Sequence, residues 1–227
     1  MPFINTSDGF KLHVEEAGNG RAIVFVHEFG GDQRSWEPQI RYFSRFYRCI
    51  TFNARGYPPS DVPSDVAMYS QARAVEDIRD VMNELNVESA HIIGLSMGGF
   101  ATLHFGLTYP QLALSLVIAG AGYGAEKQYE DFFRSNSLEV ARQFEAQGAE
   151  KFSFIYGHAA SRIPFLVKDP RGFEEFRRML GEHSALGAAN TMRGVQAHRP
   201  SIYDLDAEMK VMDVPTLIVS GDDDDHC

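Results

Sequence analysis

One serine of this 227-residue chain lies between closely spaced glycines. The segment 94–98, here called the elbow, reads Gly-Leu-Ser-Met-Gly with Ser96 at its centre. A serine hydroxyl is a weak nucleophile at neutral pH, so acyl transfer requires a base beside it, an exposed hydroxyl and donors for the developing oxyanion. A Gly-x-Ser-x-Gly turn between a strand and a helix exposes the hydroxyl, because its glycines let the two elements approach closely. We therefore predict Ser96 as a nucleophile, with a plain strand-to-helix turn as the alternative.

The segments on either side of the elbow have the periodicity that this turn requires. Residues 90–93, Ala-His-Ile-Ile, are predicted as a strand, and Phe100, Leu103 and Leu107 recur at helical spacing until Pro110. The first helical turn leaves backbone N–H groups without partners. The sequence therefore predicts that the N–H of Met97 contributes to an oxyanion hole.

A second donor is predicted in the loop 27–31, here called the oxyanion loop. It reads His-Glu-Phe-Gly-Gly and follows the apolar run 22–26, which is typical of a strand buried on both faces. Its glycines permit close approach of the backbone, and Phe29 would supply the N–H. A glycine-rich turn without a role is the alternative.

Three motifs in this order resemble the α/β-hydrolase fold superfamily, in its serine esterase and lactonase-like branch with a helical cap. They are the oxyanion loop, the stretch Asn-Ala-Arg-Gly-Tyr-Pro-Pro-Ser at 53–60, and the elbow. The resemblance implies an α/β fold with a mostly parallel sheet flanked by helices and a helical cap insertion. It divides the chain into a core (1–123), a cap (124–213) and a return to the core (214–227).

The resemblance also implies where the acid and the base of a catalytic triad stand. The family's acid follows the strand after the cap, and Gly221 to Asp224 reproduces that setting, so Asp224 is the first choice and Asp222 the second. A solvated acidic loop or a cation site is the alternative. The family's histidine follows one more strand, whereas His226 is too close to Asp224 to bridge it to Ser96.

The base is therefore expected beyond residue 227. We expect the natural protein to continue by about 40 to 60 residues, with the last strand and helix of the fold, judging from strand-helix unit lengths. The 227 residues would then form an α/β-hydrolase fold without its C-terminal strand and helix. If the sequence ended here, a ligand-binding module without turnover would be the better interpretation.

Glu28 departs from the resemblance, since the family usually has glycine there. A carboxylate aimed into an oxyanion hole would oppose the charge that forms in it. We expect its side chain to turn away. The alternative is a pair with a nearby cation such as Arg34 or Arg55.

The cap is rich in aromatic residues, which are typical either of its own core or of an apolar acyl site. They are Phe132, Phe133, Phe144, Phe152, Phe154, Tyr156 and Phe165.

The composition of the chain limits the classes of partner that it is expected to bind. A formal net charge of −10 disfavours nucleic acid and anionic membranes, and points to a small-molecule substrate. The two cysteines suggest neither a disulfide framework nor a metal site, and we expect no metal or cofactor. The first residues lack the features of a secretory signal, so a cytoplasmic location is expected. Oligomeric state is not predicted.

Together these features predict a serine hydrolase that acts on a carboxylic ester, lactone or C–C bond through an acyl-enzyme. The alternatives are the ligand-binding module and a cofactor-free perhydrolase or haloperoxidase. Epoxide hydrolases and haloalkane dehalogenases of this fold are expected to carry Asp at the elbow, so Ser96 argues against both.

Overall fold

The computed structural model describes residues 2–122, 124 and 126–224. One seven-stranded sheet runs through them in the order β1-β2-β4-β3-β5-β6-β7. The pairs β1/β2 and β2/β4 are antiparallel, and the other four pairs are parallel. The strands are β1 (Phe3–Asn5), β2 (Lys11–Ala17), β3 (Ala22–Val26), β4 (Arg48–Phe52), β5 (Ala90–Leu95), β6 (Ala113–Ala119) and β7 (Thr216–Val219).

Three helices connect the strands of the core. They are α1 (Glu37–Phe43), α2 (Gln71–Glu84) and α3 (Met97–Thr108). The apolar residues of α2 at helical spacing, Val75, Ile78 and Met82, are all buried against the sheet. The continuous apolar run of β3 is buried at every position, as expected of a central parallel strand. The predicted α/β fold with a mostly parallel sheet flanked by helices is confirmed.

Six further helices occupy the segment 130–211. They are α4 (Glu130–Gln147), α5 (Ala149–Gly157), α6 (Ile163–Lys168), α7 (Pro170–Gly181), α8 (Ala185–Gly194) and α9 (Asp206–Val211). Phe144, Phe152, Phe176 and Leu180 form the buried centre of this layer, and Phe29 of the oxyanion loop joins the same cluster. The end of the segment behaves differently, because Ile202, Leu205, Met209 and Met212 pack against the sheet's core instead. The boundaries 124 and 213 of the cap stay a prediction.

Two features are absent from the described residues. Within residues 2–122, 124 and 126–224, no helix combines the length and apolar character needed to cross a bilayer. The same ranges contain no cluster of three or more His, Cys, Asp or Glu side chains that could hold a metal ion.

Candidate active site

The elbow places Ser96 in a conformation that side chains rarely adopt. Its φ is 52° and its ψ is −113°, and it lies between β5 and α3. Such backbone strain persists only where the surroundings hold it, and clusters at functional sites. Here the Ser96 N–H donates to the carbonyl of Ala119 at 2.8 Å, and the Ser96 carbonyl accepts from Phe100 N–H at 3.0 Å. The serine is thereby fixed between β6 and the first turn of α3.

The two glycines of the elbow are required by close contact of main chains. A Cβ at Gly94 would lie 2.1 Å from the carbonyl oxygen of Gly98, and one at Gly98 would lie 2.1 Å from that of Val26. A Cβ at Gly98 would also lie 2.7 Å from the His27 carbonyl oxygen. Glycine therefore lets α3 begin directly against the end of β3, which brings the elbow beside the oxyanion loop.

The predicted oxyanion donors lie on these two adjacent segments. Phe29 is 3% exposed and Met97 is 7% exposed. Among the residues that the structure describes, neither backbone N–H donates to a protein acceptor. Buried N–H groups without partners are rare, so these two are available to a ligand oxygen.

His27 holds the start of the oxyanion loop rather than taking part in proton transfer. Its Nε2 accepts from the Ala54 N–H at 3.0 Å, which assigns the proton to Nδ1, and Nδ1 donates to the Glu28 carbonyl at 2.7 Å. Burial lowers the pKa of His27, so the ring is neutral at neutral pH. Both ring nitrogens are thus engaged with backbone.

Tyr57 fixes the next residue of the loop. Its hydroxyl donates to the Phe29 carbonyl at 3.0 Å. Burial raises the pKa of Tyr57 well above its usual value, so the phenol keeps the proton that it donates. The peptide that follows Phe29 is therefore fixed by a buried hydroxyl.

The expected partners of Glu28 were wrong. Its carboxylate binds Arg162 of the cap, with Nη2 and Oε2 2.8 Å apart. Arg34 instead pairs with Asp32 and with Glu182. Arg55 pairs with two other carboxylates, those of Asp8 and Asp77. Both arginines are thus paired with other carboxylates, and Glu28 pairs with a cation 134 positions away in the chain.

Asp224 lies at the same edge of the sheet as the elbow. A Cβ at Gly120 would be 3.9 Å from its Oδ2, and Gly120 follows Ala119, the residue that binds the Ser96 N–H. The Asp224 N–H donates to the Gly221 carbonyl at 3.2 Å. Asp222, the second choice, is exposed. The role of Asp224 as acid stays a prediction, and His226 lies outside the described residues.

The remaining histidines of the described residues have other contacts. His91 contacts the Ser115 hydroxyl at 2.7 Å, and His158 donates to the Phe154 carbonyl. His183 is buried edge-on to Tyr57, with Nε2 3.5 Å from Asp32 Oδ2. His13 stacks edge-on against Phe3, His104 is half-buried on α3, and His198 is exposed. None of these contacts involves Ser96.

An apolar cavity borders the elbow. Small and apolar side chains from both the core and the cap surround it, with Arg55 and Asp77 as its charged members. Its lining includes Val26, Phe52, Ala54, Tyr57, Met97, Gly98, Ala101 and Val195. Such a cavity suits an apolar group better than a charged one.

The aromatic residues of the cap divide into two groups. Phe133, Phe144 and Phe152 are buried, and Tyr156 and Phe165 are half-buried. Phe132 and Phe154 are 65% and 59% exposed, so these two belong to neither a core nor an enclosed acyl site.

Two residues of this site were missed by sequence reasoning. Tyr57 lies in a motif that the sequence does contain, but a tyrosine in a loop does not reveal that its hydroxyl binds a carbonyl 28 positions away. Arg162 had no local signal, because its importance arises only from the approach of the cap to the core.

The sequence profile of the alpha/beta hydrolase fold matches residues 21–226. Relatives include 3-oxoadipate enol-lactonase 1 of Acinetobacter baylyi, 28% identical over 97% of this chain and 79% of that protein. Epoxide hydrolase 3 of mouse is 26% identical over 96% of this chain and 62% of that protein. A crystal structure of a hydrolase from Pseudomonas aeruginosa superposes with a TM-score of 0.81 at 25% identity, covering 96% of this chain and 79% of that one.

The chain belongs to the α/β hydrolase fold family, as the three sequence motifs predicted. The match covers the oxyanion loop, the elbow and the described part of the acidic loop 221–224. The prediction of an enzyme of the α/β-hydrolase class is thereby confirmed.

Proposed function

We propose that this chain is a serine hydrolase that cleaves a small carbonyl compound through an acyl-enzyme on Ser96. The observation that supports the proposal is the strained Ser96 on an elbow that packs against the oxyanion loop. The N–H groups of two buried residues, Phe29 and Met97, have no acceptor among the described protein atoms. Backbone strain and backbone N–H groups without partners both destabilise the folded chain, and both are typical of functional sites.

The reaction follows from what each group does. A base takes the proton of Ser96 Oγ while Oγ attacks the substrate carbonyl carbon, and the carbonyl oxygen becomes an oxyanion. The N–H groups of Phe29 and Met97 donate to that oxyanion. The tetrahedral intermediate then expels its leaving group, which takes a proton from the protonated base. Water repeats the sequence on the acyl-enzyme and releases the acid.

Asp224 is the proposed partner of the base, on the strength of its position beside Gly120 at the end of β6. The base itself is the histidine expected by resemblance after the acid, and its identity stays a prediction. No step of the proposal requires a cofactor, because the nucleophile and the oxyanion donors are parts of the chain.

The proposed substrates are carboxylic esters, lactones or activated C–C compounds. The enol-lactonase relative supports the lactone. An epoxide-opening reaction is not proposed, because the elbow has Ser96 where a carboxylate nucleophile would be expected.

The test is covalent labelling by a fluorophosphonate probe together with hydrolysis of p-nitrophenyl acetate and a five-membered lactone. We expect the probe to label Ser96 in the full-length wild-type protein, which carries the histidine expected after residue 227. The Ser96→Ala variant should not be labelled and should lose hydrolysis by about 100-fold or more, because the nucleophile is removed.

The matched control is Ser135→Ala, which changes an exposed serine of α4 and should keep wild-type rates. Equal labelling of wild type and Ser96→Ala would overturn the proposal. Tight binding of a lactone by a wild-type protein that yields no product would favour the ligand-binding module instead.

A further inference from the structure

The cap contacts three successive residues of the oxyanion loop. Glu28 pairs with Arg162 through Oε2 and Nη2 at 2.8 Å. The Phe29 ring packs edge-on against two aromatic rings of the cap, with centroids 5.8 Å from Phe144 and 5.7 Å from Tyr156. The loop that carries a proposed oxyanion donor is therefore held by the cap as well as by the core.

The third contact involves the backbone at Gly30. A Cβ there would lie 2.7 Å from the Phe176 ring and 3.6 Å from Arg162 Nη2. Because these cap side chains fill the space, any residue other than glycine would displace them. The cap thus touches the main chain of the oxyanion loop, and Arg162 takes part in two of the three contacts.

Arg162 is itself held in place. Its guanidinium lies 4.8 Å from the centre of the Phe176 ring and 5.9 Å from that of Tyr156. Burial opposes its charge, but Glu28 and Tyr156 outweigh burial and raise the pKa of Arg162. The Glu28 and Arg162 side chains are only 12% and 23% exposed, so solvent screens their attraction weakly.

We propose that Arg162 is a positioning residue, which sets the geometry of the Phe29 N–H by holding Glu28 against the cap. The inference rests on the proposed function, because it assigns the Phe29 N–H to the oxyanion. An oxyanion donor must lie about 2.7 to 3.1 Å from the developing charge. A small shift of this loop therefore reduces stabilisation of the transition state more than binding of the substrate. The pair also neutralises Glu28, whose charge would otherwise oppose the oxyanion.

The test compares Glu28→Gln, Arg162→Met, the double variant and Arg162→Lys. With p-nitrophenyl acetate we expect each of the first two to lower kcat about tenfold, with KM changed less than twofold, because loop displacement of a fraction of an ångström affects only oxyanion stabilisation. The double variant should fall no further than the lower single variant, since both remove one interaction. Arg162→Lys keeps the charge and should recover part of kcat.

Amide hydrogen exchange of residues 28–31 gives a readout that does not need activity. We expect faster exchange in Arg162→Met than in wild type, with Arg162→Lys between them. The control is Glu182→Gln, which breaks another contact between cap and core, the 2.6 Å pair with Arg34. It should leave kcat and the exchange of residues 28–31 unchanged.

The outcomes separate this inference from the proposed function. Wild-type kcat and wild-type exchange in Arg162→Met would overturn the inference, as would an equal loss in Glu182→Gln. If the wild-type protein is not labelled at Ser96, the proposed function fails. Hydrogen exchange then still decides whether Arg162 holds the loop.

Discussion

The core and the cap hold their parts together in different ways. In the core, main chains meet directly at the elbow, and a buried ion pair joins Arg55 to Asp77, whose side chains are 4% and 3% exposed. In the cap, aromatic rings form the centre and the ion pairs lie nearer the surface, as in Arg193–Glu145 at 29% and 43% exposed. The core therefore fixes positions through backbone and buried charge, whereas the cap depends on side-chain packing.

Because of this difference, the two parts of the site should respond differently to substitution. Ser96 lies between two glycines, Gly94 and Gly98, whose main-chain contacts leave no room for a Cβ, whereas the oxyanion loop is held by core hydrogen bonds and by cap side chains. Substitutions in the core should therefore act mainly through stability, and those at the cap contact mainly through rate.

The largest expected effect breaks the buried pair of the core. Arg55→Met removes a cation that binds both oxygens of Asp77, at 2.9 and 2.8 Å, and also Asp8 at 3.0 Å. Asp77 would keep only Arg73, whose Nε lies 3.0 Å from Oδ1, so we expect the free energy of unfolding to fall by about 3 kcal/mol, the lower end of the range for a broken buried pair. Urea denaturation measures it.

The matched substitution in the cap is Arg193→Met. The Arg193–Glu145 pair is partly exposed, so its loss should change stability by no more than about 1 kcal/mol. Equal losses in the two variants would contradict the contrast between core and cap.

A smaller effect of opposite sign tests the strain at the elbow. Ser96→Gly relieves a φ of 52° with ψ of −113° that costs a side chain about 1–3 kcal/mol, although glycine gains entropy in the unfolded chain. We expect a net gain in unfolding free energy of about 1 kcal/mol and complete loss of hydrolysis. Thermal unfolding provides the measurement. Ser96→Ala keeps the Cβ and should show no such gain, and a gain of equal size there would refute the role of strain.

The smallest expected effect is a loss of stability at acidic pH. Burial raises the pKa of Asp8, but hydrogen bonds from Arg55 and Thr6 outweigh it and lower the pKa from 3.8 to about 2. Between pH about 4 and 2 the unfolded chain therefore binds more protons at this residue than the folded chain, so stability falls as the pH falls through that window.

Unfolding midpoints in urea from pH 5 to pH 2 test this. Asp8→Asn should flatten the decline, whereas Glu145→Gln in the cap should alter it less, because that carboxylate is 43% exposed and screened. An unchanged slope in Asp8→Asn would show that the acid sensitivity has another origin.

The elbow and the sheet were predictable because their signals are local. The run 22–26, the turn around Ser96 and the helix after it are each determined by neighbours in sequence, and the structure places all three where the patterns indicate. The glycines of the elbow also had a stated reason, which the contacts of Gly94 and Gly98 bear out in detail.

The partner of Glu28 was not predictable for the opposite reason. The arginines nearer to it in sequence, Arg34 and Arg55, are each paired with other carboxylates. Arg162 reaches Glu28 only because the cap folds onto the oxyanion loop. Aromatic composition likewise indicated a packed cap but could not tell the buried Phe144 from the exposed Phe154.

The dipeptide Ala119–Gly120 has a mechanical consequence. Ala119 binds the Ser96 main chain, and the Gly120 N–H donates to the Val219 carbonyl at the end of the strand that leads to Asp224. Ser96 and the end of β7, the strand before Asp224, thus bind two adjacent residues, Ala119 and Gly120. Both attachments are main-chain hydrogen bonds within the sheet, so the spacing between Ser96 and the end of β7 depends on the core and not on the helices of residues 130–211.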